Sequence, residues 1–201
     1  MKIYGDIKSG NCLKVKYTAD QLGLEYEWVA VDVTQGGSRT PEYLAKFPQG
    51  QVPAVEFADG RTLAQSNAII RYLARGSMLL PDDPFTQAKI DEWLFWEQYS
   101  HEPNVAVCRY HMVYLGKSKE SRDPGLVERG EKALDHMERQ LAGKSFLVGD
   151  AFSVADLSLY AYTHVADEGG FDLNTRKQVQ DWLRRCAESL GLPNRPQRSE
   201  H

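Results

Sequence analysis

An α/β amino-terminal domain followed by an all-α carboxy-terminal domain is the fold class this sequence predicts, and three observations carry it. Across residues 1–76, short β-rich apolar runs alternate with helical periodicity. From Gly76 to Pro84 the composition turns to that of a linker, with Pro81, Asp82, Asp83 and Pro84 in close succession. Beyond it, every long segment carries apolar residues at helical spacing.

Lys2 to Gly5 reads as a strand, and Cys12 to Gly23 as a helix with Val15, Ala19 and Leu22 on one side and Gly23 as its stop. Tyr26 to Val33 is β-rich through Trp28, Val29, Val31 and Val33. Pro41 to Phe47 is a short helix opened by a first-turn proline. Val52 to Phe57 and Arg61 to Ala64 flank Asp59-Gly60, a strong hairpin signal, and Ser66 to Arg75 is again helical. The order is β-α-β-α-β-β-α, with the first two strands parallel across a helical crossover and the last two antiparallel.

Four helices follow, at about 85–114, 124–142, 153–166 and 175–190. Pro103 lies inside the first and predicts a kink with a carbonyl freed one turn earlier. Ser153-Val-Ala-Asp156 has the pattern of a capping box. The predicted organisation is therefore a first domain over 1–76, a linker over 77–84, a helical domain over 85–192 and a frayed tail over 193–201.

Charge and cysteine usage narrow the function. Twenty-four Lys and Arg against 28 Asp and Glu leave a net charge of −4, and neither half has the basic excess that nucleic-acid binding needs. Three cysteines, Cys12, Cys108 and Cys186, form no CxxC pair and no ligand cluster, so neither a disulfide framework nor a metal site is predicted. No apolar stretch is long enough to span a bilayer and the opening residues do not read as a secretory signal, which predicts a cytoplasmic protein without membrane partners.

Three places carry chemistry. Ser9-Gly10-Asn11-Cys12 lies where the first strand meets a helix N-terminus, a position suited to an anion. Ser9 and Cys12 have the spacing of a redox pair whose first cysteine is replaced by serine, which leaves a hydroxyl able to donate to another molecule's sulfur. Equally, Ser9 and Asn11 could simply cap the helix. Gln51-Val52-Pro53 opens an apolar strand. A cis Val52–Pro53 bond would turn the Val52 peptide groups outward, whereas an ordinary trans proline would not. Gln65-Ser66 precedes a helix, where Ser66 could be an N-cap alone or could hold a ligand carboxylate beside Gln65.

With these three signals set in one β-α-β-α-β-β-α module ahead of a helical domain, the sequence resembles the glutathione transferases over about residues 1–190. The matching segments are Ser9-x-x-Cys12, Pro48-Gln-Gly-Gln-Val-Pro53, Gln65-Ser66, and the capping box with Gly149-Asp150 before it. Among them it looks serine-type and bacterial, theta- or nu-like. The resemblance implies a thioredoxin-like domain that binds glutathione as co-substrate, a helical domain that forms most of the second-substrate pocket, a homodimer about the first long helix, and a role in detoxification. On matching positions, Ser9 would activate the glutathione thiol. Val52 would pair with the cysteinyl backbone ahead of a cis Pro53, Gln51 would lie near the glycine carboxylate, and Gln65 and Ser66 would hold the γ-glutamyl end. Phe47 departs from the family, many members of which have asparagine there. Tyr4 falls too early to be the catalytic tyrosine of other classes and reads as core.

A conjugating enzyme follows, with Ser9 as thiolate stabiliser and Asn11 as a second donor. Two alternatives stand beside it: a glutathione-dependent disulfide reductase, with which Asn11 is compatible, and a non-catalytic ligand carrier. Cys12, inside the first helical turn, reads as a buried structural thiol. The run Trp96-Glu-Gln-Tyr-Ser-His-Glu-Pro-Asn104 supplies Tyr99, His101 and, further on, Arg109 as candidates for the second-substrate pocket. A helix surface facing solvent or a second subunit would explain them as well.

Overall fold

The predicted order of elements in the amino-terminal region is the observed one. The structure is a computed structural model in which residues 1–193 and 195 are described. The predicted tail over 193–201 therefore falls largely outside the described residues. The chain divides into two compact units, Met1–Pro81 and the segment from Asp82 onward.

In the first unit a four-stranded sheet has the order β2-β1-β3-β4. Strand β1 (Lys2–Gly5) pairs in parallel with β2 (Glu27–Ala30), Lys2 opposite Glu27 and Gly5 opposite Ala30. On its other side β1 pairs antiparallel with β3 (Ala54–Glu56), Tyr4 opposite Ala54, and β3 pairs with β4 (Thr62–Ala64) in a hairpin. The turn of that hairpin places Gly60 at φ 83°, a conformation open to glycine at little cost, which is why Asp59-Gly60 was a legible signal.

Three helices accompany the sheet: α1 (Gly10–Gln21), α2 (Pro41–Lys46) and α3 (Ser66–Leu73). Helix α1 ends before Gly23, whose φ of 62° stops it. The core is built from Ile3, Val15, Ala19, Val55, Ile69 and Ile70, all fully buried. A second cluster joins Val31, Tyr43, Phe47 and Ala54, with Tyr4 and Val52 packed against it. Phe47 braces the loop before Pro48 through its ring, edge-on to Tyr4 at 5.1 Å and tilted against Tyr43 at 5.0 Å. Tyr4 joins this packing while its hydroxyl donates to Glu56 at 2.7 Å.

The second unit is helical among its described residues. Its first long helix runs as α4 (Pro84–Trp96), a π-helical segment over Glu97–Ala106, and α5 (Val107–Val113). The predicted kink is thus realised as a widening of the coil. Pro103 has no N–H to donate and its ring crowds the carbonyl one turn back, so the ladder passes it with wider loops. The Asn104 side chain donates to the Ser100 carbonyl at 2.7 Å, which satisfies an acceptor in the disturbed turn.

Helix α6 (Pro124–Leu141) starts at Asp123, whose carboxylate accepts from the Leu126 N–H at 2.8 Å, with Pro124 in the first helical position. Helix α7 (Val154–Thr163) is buried along its whole length, and α8 (Lys177–Ser189) buries Val179, Trp182, Leu183 and Cys186. The capping box at Ser153 and Asp156 is present. Asp156 also accepts from the Leu147 N–H at 2.8 Å and from Trp182 Nε1 at 2.9 Å, so one carboxylate ties a loop, a helix start and α8 together. Among the described residues no helix is long and apolar enough to cross a membrane.

Candidate functional site

The end of β1 and the starts of α1 and α3 bring the amino-terminal candidates together. Ser9 occupies the N-cap position of α1 with φ −80° and ψ 122°, yet its side chain makes no capping hydrogen bond. Its hydroxyl acts instead on the neighbouring Cys12 thiol, whose ionisation it favours. Cys12 is fully buried, and its sulfur also accepts from the Asp6 N–H at 3.4 Å. Burial pushes the Cys12 thiol up to about 11, against which the hydrogen bonds from Ser9 and Asp6 act only partially. A sulfur so placed is a protonated packing group at neutral pH.

Asn11 and Ser66 meet directly. The Ser66 hydroxyl donates to the Asn11 side-chain oxygen at 3.0 Å and links α1 to α3. Ser66 is the first residue of α3 and Gln65 is its N-cap, one position earlier than the cap read from the sequence. Gln65 holds φ 71° and ψ 111°, the one described non-glycine residue at positive φ. Such backbone costs about 1–3 kcal/mol and persists where neighbours fix it, characteristically at ligand sites.

Those neighbours include two further glutamines. Gln65 Nε2 donates to Gln49 Oε1 at 2.9 Å and lies 3.4 Å from Gln51 Oε1. Gln49 was missed in the sequence, where nothing local distinguishes it. Its signal is its distance of two residues from Gln51, which puts both amides on one edge of the loop ahead of β3. The backbone there is pinned from below: the Tyr43 hydroxyl donates to the Gln51 carbonyl at 2.7 Å. The Val52–Pro53 bond is cis, and Val52 makes no backbone hydrogen bond among the described residues.

Tyr99, His101 and Arg109 are not brought together. His101 is fully buried, with Nε2 3.0 Å from the Thr163 hydroxyl. Arg109 is buried as well and donates from Nε to Glu168 at 2.7 Å. Tyr99 is 87% exposed and lines a cavity with Trp96 and His136. The π-helical segment explains the scatter: its wider turn rotates each residue by less than the α-helical 100°, so faces assigned by α periodicity drift.

Comparison with known proteins follows the same division of the chain. Residues 1–75 match the family model described as glutathione S-transferase, N-terminal domain, and residues 106–185 match the corresponding C-terminal domain. A Fusarium protein named glutathione S-transferase-like protein LUC7 is 35% identical over 178 residues, which is 83% of this chain and 80% of that one. The crystal structure of a glutathione S-transferase from Pseudomonas fluorescens superposes with a TM-score of 0.89 at 49% identity, covering 92% of this chain and 94% of the other. One from Xanthobacter autotrophicus gives 0.89 at 41% identity, covering 97% and 95%.

Proposed function

Because this chain belongs to the glutathione S-transferase superfamily and is a glutathione transferase, we propose a serine-type mechanism of the bacterial, theta- or nu-like kind, in which Ser9 keeps the glutathione sulfur ionised for attack on an apolar electrophile. The observation that supports this most is the Ser9 hydroxyl: it stands at the N-terminus of a 12-residue helix and is not consumed by capping it.

The energetics are sufficient without a general base. A free thiol ionises near ~8.5, so a small fraction is thiolate at neutral pH. Lowering that value by about two units takes ~2.7 kcal/mol. A hydrogen bond from Ser9 to a charged sulfur contributes ~1.5–3 kcal/mol, and the positive end of α1 adds ~0.3–1 kcal/mol. Asn11, whose oxygen is engaged by Ser66, has its amide nitrogen as its donor and is assigned to the same first turn.

The donor set fits the remainder of the tripeptide. Val52 offers peptide groups that pair with no described residue, which suits an extended peptide backbone. Gln51 and Gln65 present neutral amides, and Ser66 with the first turn of α3 suits a carboxylate. His101 and Arg109 support the second-substrate region by holding helices in place, His101 against the buried Thr163 hydroxyl and Arg109 through its ion pair with the half-buried Glu168.

Subunit pairing is part of the same proposal. Phe85 and Phe95 on α4 are 74% and 75% exposed, apolar area that a second copy would cover. Light scattering reads this directly: a dimer mass supports the pairing, and a monomer at micromolar concentration refutes it.

The deciding experiment compares Ser9→Ala with the parent enzyme on an aryl halide across pH. The variant loses rate at neutral pH and its pH–rate midpoint moves upward by one to two units, about 1.4–2.7 kcal/mol of thiolate stabilisation. An unchanged profile refutes the role of Ser9. Faster turnover of a mixed disulfide than of the aryl halide by the parent enzyme would make the chain a reductase on the same thiolate.

A further inference from the structure

The first unit holds a cavity between β1, β2 and α2, with a volume of about 320 Å³, in the range of small-molecule sites. One side of it is aromatic. Tyr4, Tyr43 and Phe47 line it and pack on one another, Tyr4 edge-on to the other two with ring centroids 6.1 and 5.1 Å apart. A ligand ring meets this corner edge-to-face without displacing a hydrogen bond, because the tyrosine hydroxyls are spent on Glu56 and on the Gln51 carbonyl.

The charge around it is negative. Asp32, Glu42 and Lys46 line the cavity, all three exposed. Lys46 is neutralised by Glu56, Nζ to Oε2 at 2.7 Å. That pairing takes it from Glu42, which stands four residues earlier on α2 at ion-pair spacing. Glu42 makes no hydrogen bond or ion pair among the described residues. Asp32 Oδ1 accepts from the Thr34 hydroxyl at 2.6 Å and from the N–H groups of Thr34 and Gln35 at 2.9 and 3.2 Å. Its Oδ2 accepts from no described residue. The Thr34 hydroxyl, helped by those N–H groups and the field of Lys8, holds the Asp32 carboxyl below the usual carboxylate range, so it is charged at neutral pH.

We infer that this cavity is a binding site for an arylalkylammonium ion, a flat ring joined by a short chain to a cationic nitrogen. The ring meets Tyr4, Tyr43 and Phe47, and the ammonium donates to the unused oxygens of Glu42 and Asp32. A neutral arylalkanol leaves both carboxylates uncompensated, an arylalkanoate adds a third, and a bare ammonium leaves the rings in water. The two carboxylates are a local feature, since residues 1–76 together carry nine Lys and Arg against eight Asp and Glu. Among the described residues, none from the first long helix and none assigned to glutathione lines the cavity, so this site and the glutathione site are tested separately.

The test is calorimetric titration of the whole enzyme at neutral pH with 2-phenylethylamine, with 2-phenylethanol, 3-phenylpropionate and ethylamine as controls. The amine binds more tightly than all three, weakens as salt is raised, and still binds when glutathione is saturating. Glu42→Gln, which breaks no described contact, weakens the amine about threefold, and Glu42→Lys weakens it about tenfold, while kcat and KM for glutathione stay at parent values. Asp32→Asn, which keeps an oxygen for Thr34 and Gln35, weakens it about threefold. Glu25→Gln, an exposed carboxylate outside the cavity, leaves the affinity at the parent value. Parent-like affinity in Glu42→Lys or in Asp32→Asn overturns the inference. Displacement of the amine by glutathione overturns it too, as does 2-phenylethanol binding as tightly as the amine. A loss in Glu25→Gln equal to that in Glu42→Gln also overturns it, because net charge alone would then explain the binding.

Discussion

The Ser66 hydroxyl donates a 3.0 Å hydrogen bond to the side-chain oxygen of Asn11, and so joins the first turns of two helices 55 residues apart in sequence. Each residue was singled out for a different part of glutathione, and the bond couples those parts. Removing either partner disturbs both helix starts. A double-mutant cycle with Ser66→Ala and Asn11→Ala therefore gives a coupling energy of about 0.5–1.5 kcal/mol in unfolding, and each single variant raises KM for glutathione. Additive effects would show that the two residues act independently.

Ser9→Ala separates catalysis from folding. An N-cap serine that accepts from the helix contributes about 1 kcal/mol, but the Ser9 side chain makes no such bond. The variant should unfold within about 0.5 kcal/mol of the parent while it loses activity at neutral pH. A loss of stability as large as that of activity would return Ser9 to a capping role.

Cys12 gives a prediction of the opposite kind. Its thiol, pushed up to about 11 by burial, remains protonated at pH 8, so alkylation of the native protein is slow and Cys12→Ala retains turnover. Because the folded value lies above the unfolded one, the stability tied to this group is complete below about 9 and is lost between about 9 and 11. Denaturation midpoints of parent and Cys12→Ala across that interval check the sign.

His164 makes the second unit acid-sensitive. Burial lowers it to about 4, against the weaker opposing pull of the Tyr160 carbonyl 2.8 Å from Nδ1. Its neutral form belongs to the folded state, so stability is complete above about 6.5 and declines as pH falls toward 4. His164→Gln flattens the urea midpoint over that interval. A parent-like slope in the variant would assign the acid sensitivity to other groups.

Asp156 carries the largest single penalty. Its carboxylate accepts from Ser153 N, Ser153 Oγ, Leu147 N and Trp182 Nε1, all in a buried setting. Asp156→Ala strands several buried donors and costs about 3–5 kcal/mol, read as a fall in the denaturation midpoint. A cost below about 1 kcal/mol would mean that the network relaxes around the gap.

What the sequence revealed and what it concealed follow from the range of each interaction. Strand pairing around Asp59-Gly60, the stop at Gly23 and the Ser153–Asp156 capping box are local, and each was legible. Ser9, Val52 and Gln65-Ser66 were singled out as candidates through their positions at element ends. Gln49 was hidden because its partner Gln65 lies 16 residues away and no periodicity links them. Ser66 was placed one position late as a cap because Gln65 adopts a backbone conformation that glutamine seldom takes.

The wide coil around Pro103 also sets how the chain tolerates length changes. A segment that winds more loosely than its flanks accommodates surplus length that a regular spiral would expel. Excising one residue there would let the spiral tighten to its common pitch, but everything from Val107 onward would swing round by roughly a quarter turn. Arg109 would then lose its grip on Glu168, and a flank of that stretch, in place of its present inner side, would turn toward the core.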